Sequence, residues 1–219
     1  MLQVIRFLEE LSENNNREWF QNNKNRYDES RKKVLFITDV LINEIRKFDP
    51  DVPLLEPKDC LFRIFRDVRF SNDKRPYKTN FGSFIAKGGR KSSYAGYYFH
   101  IEPHTSFIGG GIYMPDAEHL KAIREYIAEN GEEFSNLINN AKFKKVFPEM
   151  MNDKLKTAPK GFSPDHEYID LLRYKSFAFS SQLSKTQILA DTYIEQLVQS
   201  FKILQPVNRF LNDALENNL

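Results

Sequence analysis

Between residues 59 and 114 the chain sets four strand-like runs one after another, at 59–70, 80–87, 94–103 and 106–114. Each is aromatic and β-branched, and turn residues separate them. The short connection Glu102-Pro103-His104-Thr105-Ser106 predicts an antiparallel hairpin. Gly88-Gly89-Arg90-Lys91-Ser92-Ser93 is a polar turn, and Gly109-Gly110-Gly111 implies a bulge or the close approach of another backbone. On both sides of this block the apolar period changes to that of a helix. Phe20, Tyr27, Val34, Leu41 and Phe48 recur every seven residues, with Ile37 and Ile45 widening the stripe, so one long helix is expected there. Asn14 and Asn15 separate it from an amphipathic helix beginning at residue 2, and Asp49-Pro50-Asp51-Val52-Pro53 ends the zone.

Toward the C-terminus, Pro115-Asp116 opens a helix that Asn130-Gly131 is expected to stop, and Ser163-Pro164 opens another. Ser184-Lys185-Thr186-Gln187 is a capping box for a helix running to about Leu204, and Pro206 begins a last short one. Helices, then consecutive strands, then helices is the α+β pattern: a mostly antiparallel sheet packed against N-terminal and C-terminal helices. We expect one domain over 1–219, helical at 1–50, strand-rich at 58–115 and helical at 116–219. At 219 residues the chain is long enough to bury a substantial core.

Composition excludes several classes. The single cysteine, Cys60, rules out intramolecular disulfides and multi-cysteine zinc sites, and its place in an apolar run suits a buried thiol. No apolar run reaches the ~18 residues needed to span a bilayer. The N-terminal run is interrupted by Arg6, Glu9 and Glu10, which reads as an amphipathic helix and not a signal peptide, so the expected location is cytoplasmic. A net charge of +2 is too balanced for a general nucleic-acid or membrane binder, although a local basic patch is compatible with it.

Such a patch exists. Arg66-Asp67-Val68-Arg69-Phe70-Ser71-Asn72-Asp73-Lys74-Arg75-Pro76-Tyr77-Lys78 holds five bases and two acids directly after an apolar run. Unpaired buried charge is very costly, so the segment reads as the rim of a polar site that suits anions. Alternation along the preceding strand would put Arg63, Asp67 and Arg69 on one face with Leu61 and Phe65, and Arg66 on the other with Phe62, Ile64, Val68 and Phe70. Two readings stand: Asp67 neutralises its arginines in a structural lattice, or the guanidinium forks face phosphate or carboxylate. Ser71-Asn72-Asp73 turns the chain, and Tyr77, beside Lys74 and Lys78, is a candidate acid or base.

In the strand at 94–103, Tyr98, His100 and Glu102 share a face, so Glu102 can orient His100 as a general base. With His104 the spelling becomes His-x-Glu-x-His, but Pro103 and the turn make three ligands on one face a poor metal site. Lys160, in the run Lys156-Thr157-Ala158-Pro159-Lys160-Gly161-Phe162 before Ser163-Pro164, belongs to a basic loop leading to a helix N-terminus, a second anion cradle. No Walker, G-x-G-x-x-G or G-x-S-x-G motif is present, and no cofactor is indicated.

Asn15-Asn16-Arg17-Glu18-Trp19-Phe20, the stretch from Leu61 to Asn80, Gly96 to Pro103, Gly109 to Pro115 and Lys156 to Phe162 together resemble a family of uncharacterised proteins of bacteria and fungi, catalogued as a domain of unknown function. The likeness covers nearly the whole chain and implies a shared site, but it brings no activity, cofactor or catalytic residue. The chain departs from the family pattern at His104 and at Glu167, where proline is usual. The resulting expectation is a small phosphorylated or carboxylated ligand held by Arg63, Arg66, Arg69, Asp73, Lys74, Lys78 and Lys160. Asp67, Tyr77, His100 and Glu102 are the candidates for proton transfer. The alternatives are a non-catalytic module for a protein or single-stranded nucleic acid, the overall charge arguing against the latter, and a purely structural charge network.

Overall fold

Apolar spacing drives the first elements of the computed structural model, which describes residues 1–70 and 72–218. Helix α1 (Leu2–Glu13) buries Val4, Ile5, Phe7, Leu8 and Leu11, one face at helical spacing. Asn16 caps α2 (Arg17–Asn22), its side chain accepting from the Trp19 N–H at 2.9 Å. The seven-residue stripe belongs to two helices, because the backbone leaves helical geometry at Asn23 before α3 (Lys24–Ile45). Phe20 and Tyr27 still meet, with ring centroids 5.1 Å apart, and Val34, Ile37, Leu41 and Ile45 are buried. Phe48 lies beyond the end of α3, in a turn.

The remaining elements are α4 (Pro57–Cys60), β1 (Phe81–Ile85), β2 (Gly96–Ile101), β3 (Phe107–Ile112), α5 (Ala117–Asn139), α6 (Ala141–Val146), α7 (Ile169–Leu172), β4 (Phe177–Gln182), α8 (Lys185–Leu189) and α9 (Tyr193–Asn218). The strands form one antiparallel sheet in the order β1-β2-β3-β4, and with helices before and after it the fold is α+β. The chain divides into two compact units. The first comprises 1–90, 98–108 and 182–198; the second comprises 91–97, 109–181 and 199–219. The core of the first joins α1, α3 and Phe20 to Leu61, Ile64, Tyr77, Phe81 and Ile85. That of the second includes Tyr97, Ile123, Ile127, Phe134, Phe177, Phe201 and Phe210.

Several sequence expectations change. The run at 59–70 is no strand: after α4 it makes only the antiparallel bridges Leu61–Ser83 and Phe65–Tyr77. Between those bridges four steps on one side face six on the other, and a regular ladder cannot absorb two extra residues. The period-two sorting of its charges therefore fails. Asn130-Gly131 kinks α5 without ending it, and a Cβ on Gly131 would collide with the Tyr168 ring. The helix expected from Ser163 begins only at Ile169 and is four residues long. The capping box at Ser184 forms, but α8 ends at Leu189, and Pro206 lies inside α9. Strand β4 falls within 116–219, the zone read as helical; it runs beside β3, where side chains on Gly109 and Gly111 would strike the carbonyls of Phe179 and Phe177. Among the described residues no helix is long and apolar enough to cross a membrane.

Candidate functional site

Strand β2 carries Tyr98 and His100 two residues apart, with Glu102 next in the same alternation just past the strand end, and their side chains join in one hydrogen-bonded row. Tyr98 Oη lies 3.0 Å from His100 Nδ1, and His100 Nε2 lies 3.2 Å from Glu102 Oε2. An ionised carboxylate only accepts, so Nε2–H donates to Glu102 and the neutral ring accepts the Tyr98 hydroxyl at Nδ1. Burial lowers the pKa of His100, and nearby Lys78 adds to this, outweighing the opposing effect of Glu102; the ring is neutral at neutral pH. Phe107 stacks on it at 4.7 Å. Burial likewise pushes Tyr98 up to about 12.

Both carboxylate oxygens of Glu102 accept hydrogen bonds. Burial opposes its ionisation, but hydrogen bonds from Thr105 (2.7 Å), Thr79 (2.8 Å) and His100 prevail and hold its pKa below the usual value. Its backbone is pinned as well, with N–H donating to Ser106 Oγ at 2.9 Å. Gly82, on the neighbouring β1, leaves room for the tyrosine, since a Cβ there would collide with the Tyr98 hydroxyl.

The two extra residues between Tyr77 and Ser83 give the row its second wall. An irregular stretch of this kind re-aims side chains. Thr79 reaches Glu102, and Lys78 comes close enough to His100 to depress its pKa. Lys78 is partly buried, with Nζ 5.6 Å from the centre of the Phe62 ring. Its own pKa is lowered by burial and by the like charges of Arg63 and Arg66. Among the described residues it makes no ion pair, and the exposed Arg63 makes no hydrogen bond.

The other candidates are placed differently. Asp67 pairs with Arg69 at 2.7 Å, both exposed, and that bond lowers the carboxyl pKa. Asp73 binds Arg75 at 2.7 Å and also Arg66, and these arginines hold its carboxyl far below the usual carboxylate range. Lys74 Nζ donates to the Val68 carbonyl at 3.1 Å. Ser71, read as part of the turn, lies outside the described residues. Tyr77 belongs to the core: its ring stacks on Phe20 at 3.9 Å, and Asn15 bonds its N–H at 3.1 Å and its carbonyl at 3.0 Å. Lys160 is exposed in the second unit, near Gly161, whose φ is positive, and no full-length helix follows its loop. His104 is exposed in the turn and takes no part in the row.

Thus Arg63, Arg66, Lys78, His100 and Glu102 come together, while Arg69, Asp73, Lys74 and Asp67 form a loop of internal ion pairs and hydrogen bonds. The sequence places Tyr98 on the face of His100 and Glu102 but assigns it no role, and Thr79 and Thr105 were missed as partners. A groove of about 730 Å³ lies in the second unit beside Leu137, Phe143, Ile203 and Val207. No histidine, tyrosine or arginine lines it, and the linked titratable groups are on β2.

No curated protein and no solved structure matches the chain. Residues 3–210 match the model of a family described as "Conserved hypothetical protein (DUF2461)", a match that covers nearly the whole length, and the chain belongs to that family.

Proposed function

We propose that this protein binds a small phosphorylated or carboxylated ligand against Lys78 and Arg63, and that the Tyr98–His100–Glu102 row exchanges a proton with it. The observation that carries this reading is Lys78: partly buried, crowded by Arg63 and Arg66, and without a carboxylate of its own among the described residues. Clustered like charges cost free energy that a bound anion would return. Asp67 and Asp73 are already engaged by arginines of the loop, so they leave the anion to Lys78 and Arg63. Proton exchange would run through Tyr98, whose oxygen takes a proton from the ligand as its own proton passes to the bare Nδ1 of His100, and the return step retraces the same path. His100 Nδ1 takes or returns the balancing proton, and Glu102 stabilises the imidazolium that forms.

The test is a thermal-shift screen with inorganic phosphate, phosphorylated metabolites and organic acids, on wild type, Lys78→Met and His100→Gln. A ligand that binds only the folded state raises Tm by mass action. The expected result is a rise that Lys78→Met abolishes and His100→Gln keeps, with turnover of the bound compound lost in His100→Gln. A rise that persists in Lys78→Met, or no rise with any compound, refutes the reading.

A further inference from the structure

We infer that residues 62–70 and 72–75 form a docking surface for single-stranded nucleic acid, with bases stacked on Phe62, Phe65 and Phe70 and phosphates met by Arg63 and Lys74. The first observation is exposure. Phe62, Phe65 and Phe70 are 36%, 49% and 95% exposed, three large rings shown to water within nine residues. Burial of aromatic surface is favourable, so leaving these rings partly or wholly in water forgoes stabilisation that a covering partner would return.

The second observation is charge. Residues 62–75 contain five bases and two acids, whereas the other positions hold 27 bases and 28 acids. The near-neutral whole chain therefore conceals a strongly basic segment on a slightly acidic remainder. The two acids cancel part of it and leave Arg63 and Lys74 without a carboxylate among the described residues. Asp67 is engaged by Arg69, and Asp73 is shared by Arg75 and Arg66. Lys74 spends one hydrogen bond on a neutral carbonyl and keeps its charge.

The mounting of the rings selects the partner. Phe62 N–H donates to the Gly82 carbonyl at 2.9 Å, and Arg66 N–H to the Pro76 carbonyl at 3.0 Å, so the backbone beneath the platform is fixed. The Phe62 ring rests on Tyr98, and the Phe65 ring on Phe20 and Tyr77. Rings that pack on one side and face water on the other suit flat bases, and neighbouring cations suit the phosphates between them. An acyl chain would require Phe62 and Phe65 to leave the rings beneath them, acidic side chains carry no aromatic face, and duplex bases are already stacked. This surface goes beyond the small-anion reading: it shares Arg63 with that site but needs neither Lys78 nor His100.

Fluorescence anisotropy with labelled 12-nucleotide oligo(U) and oligo(dT), on the full chain, tests it. We expect binding whose log K falls with log[salt] with a slope of about −1.4, from two neutralised phosphates. Phe70→Ala should weaken it about fivefold or more with Tm unchanged, because that ring has almost no intramolecular contact to lose. Phe65→Ala should weaken it similarly, while His100→Gln should leave it within about twofold. Absence of binding at 50 mM salt overturns the inference. So do equal affinity for a duplex, affinity untouched by Phe70→Ala, and phosphatidylserine vesicles that bind the protein without competition from the oligonucleotide. A phosphate-induced thermal shift that survives any of these outcomes leaves the small-anion site standing alone.

Discussion

Lys78 is held where its charge is least welcome, and that has a measurable cost. Burial and two guanidinium neighbours depress its pKa. Met has similar length and no charge, and the Phe62 ring and surrounding carbon can pack against it. Lys78→Met is therefore expected to raise Tm by about 2–4 °C, equivalent to roughly 1 kcal/mol in a chain of this length. A lower Tm, read by differential scanning calorimetry, would mean that Lys78 is a structural cation and the crowding is compensated. His100 offers a second reading of the same electrostatics. Glu102 raises the His100 pKa, although burial dominates and keeps it below the ordinary 6.5. In Glu102→Gln the imidazole should titrate lower still, as its carbon-bound ring protons will report by NMR. An upward shift would show that Glu102 does not support the imidazolium and would remove it from the proton path.

Two extra residues between Tyr77 and Ser83 decide more of the site than any regular element does. They bring Lys78 and Thr79 to the face of β2, and Asn15 holds the near end by bonding both backbone groups of Tyr77, much as a paired strand would. Asn15→Ala leaves a donor and an acceptor without that partner in a partly buried place, at a cost of about 1–3 kcal/mol. It should also loosen Lys78, so the drop in urea midpoint should be accompanied by weaker phosphate binding. Unchanged binding in a destabilised variant would separate the anion site from the irregular stretch. The same stretch explains what the sequence concealed. Phe62, Ile64 and Phe65 have strand composition, but alternation assumes an unbroken ladder, and a mismatch of two residues cannot be seen until the partner is known. Strand β4 was hidden for a related reason: its apolar alternation stops after Phe177 and Phe179, and its pairing lies some 65 residues away on Gly109 and Gly111. The glycines announced a close backbone without saying whose. By contrast, the face shared by His100 and Glu102 was readable, because β2 is a regular strand and period two holds along it.

Among the described residues the perturbed carboxyl groups share one sign. Glu10 is lowered by Arg26, Asp67 by Arg69, Asp73 by Arg75 and Arg66, and Asp116 by hydrogen bonds from His119 and Glu118. Glu102 is lowered too, its hydrogen bonds prevailing over burial. Each carboxylate binds its proton more weakly when folded, so its contribution is present above its unfolded pKa and is lost as pH falls through the folded one. His100 acts in the same direction. Its folded pKa is depressed, so the unfolded chain takes up a proton first and stability begins to fall below about pH 6.5. Stability should therefore decline below about pH 6.5, and more steeply once carboxylates titrate. Salt separates the contributors. At 1 M the Debye length is about 3 Å, which screens the exposed loop pairs far more than the half-buried Glu102 and His100. Urea titrations from pH 7 to 3 in low salt and in 1 M NaCl should show a shallower but persistent decline in high salt. The double variant His100→Gln, Glu102→Gln should flatten most of what persists. If high salt alone abolishes the decline, the acid sensitivity resides in the surface loop, and the β2 row is not the buried, coupled system that proton exchange with a ligand requires.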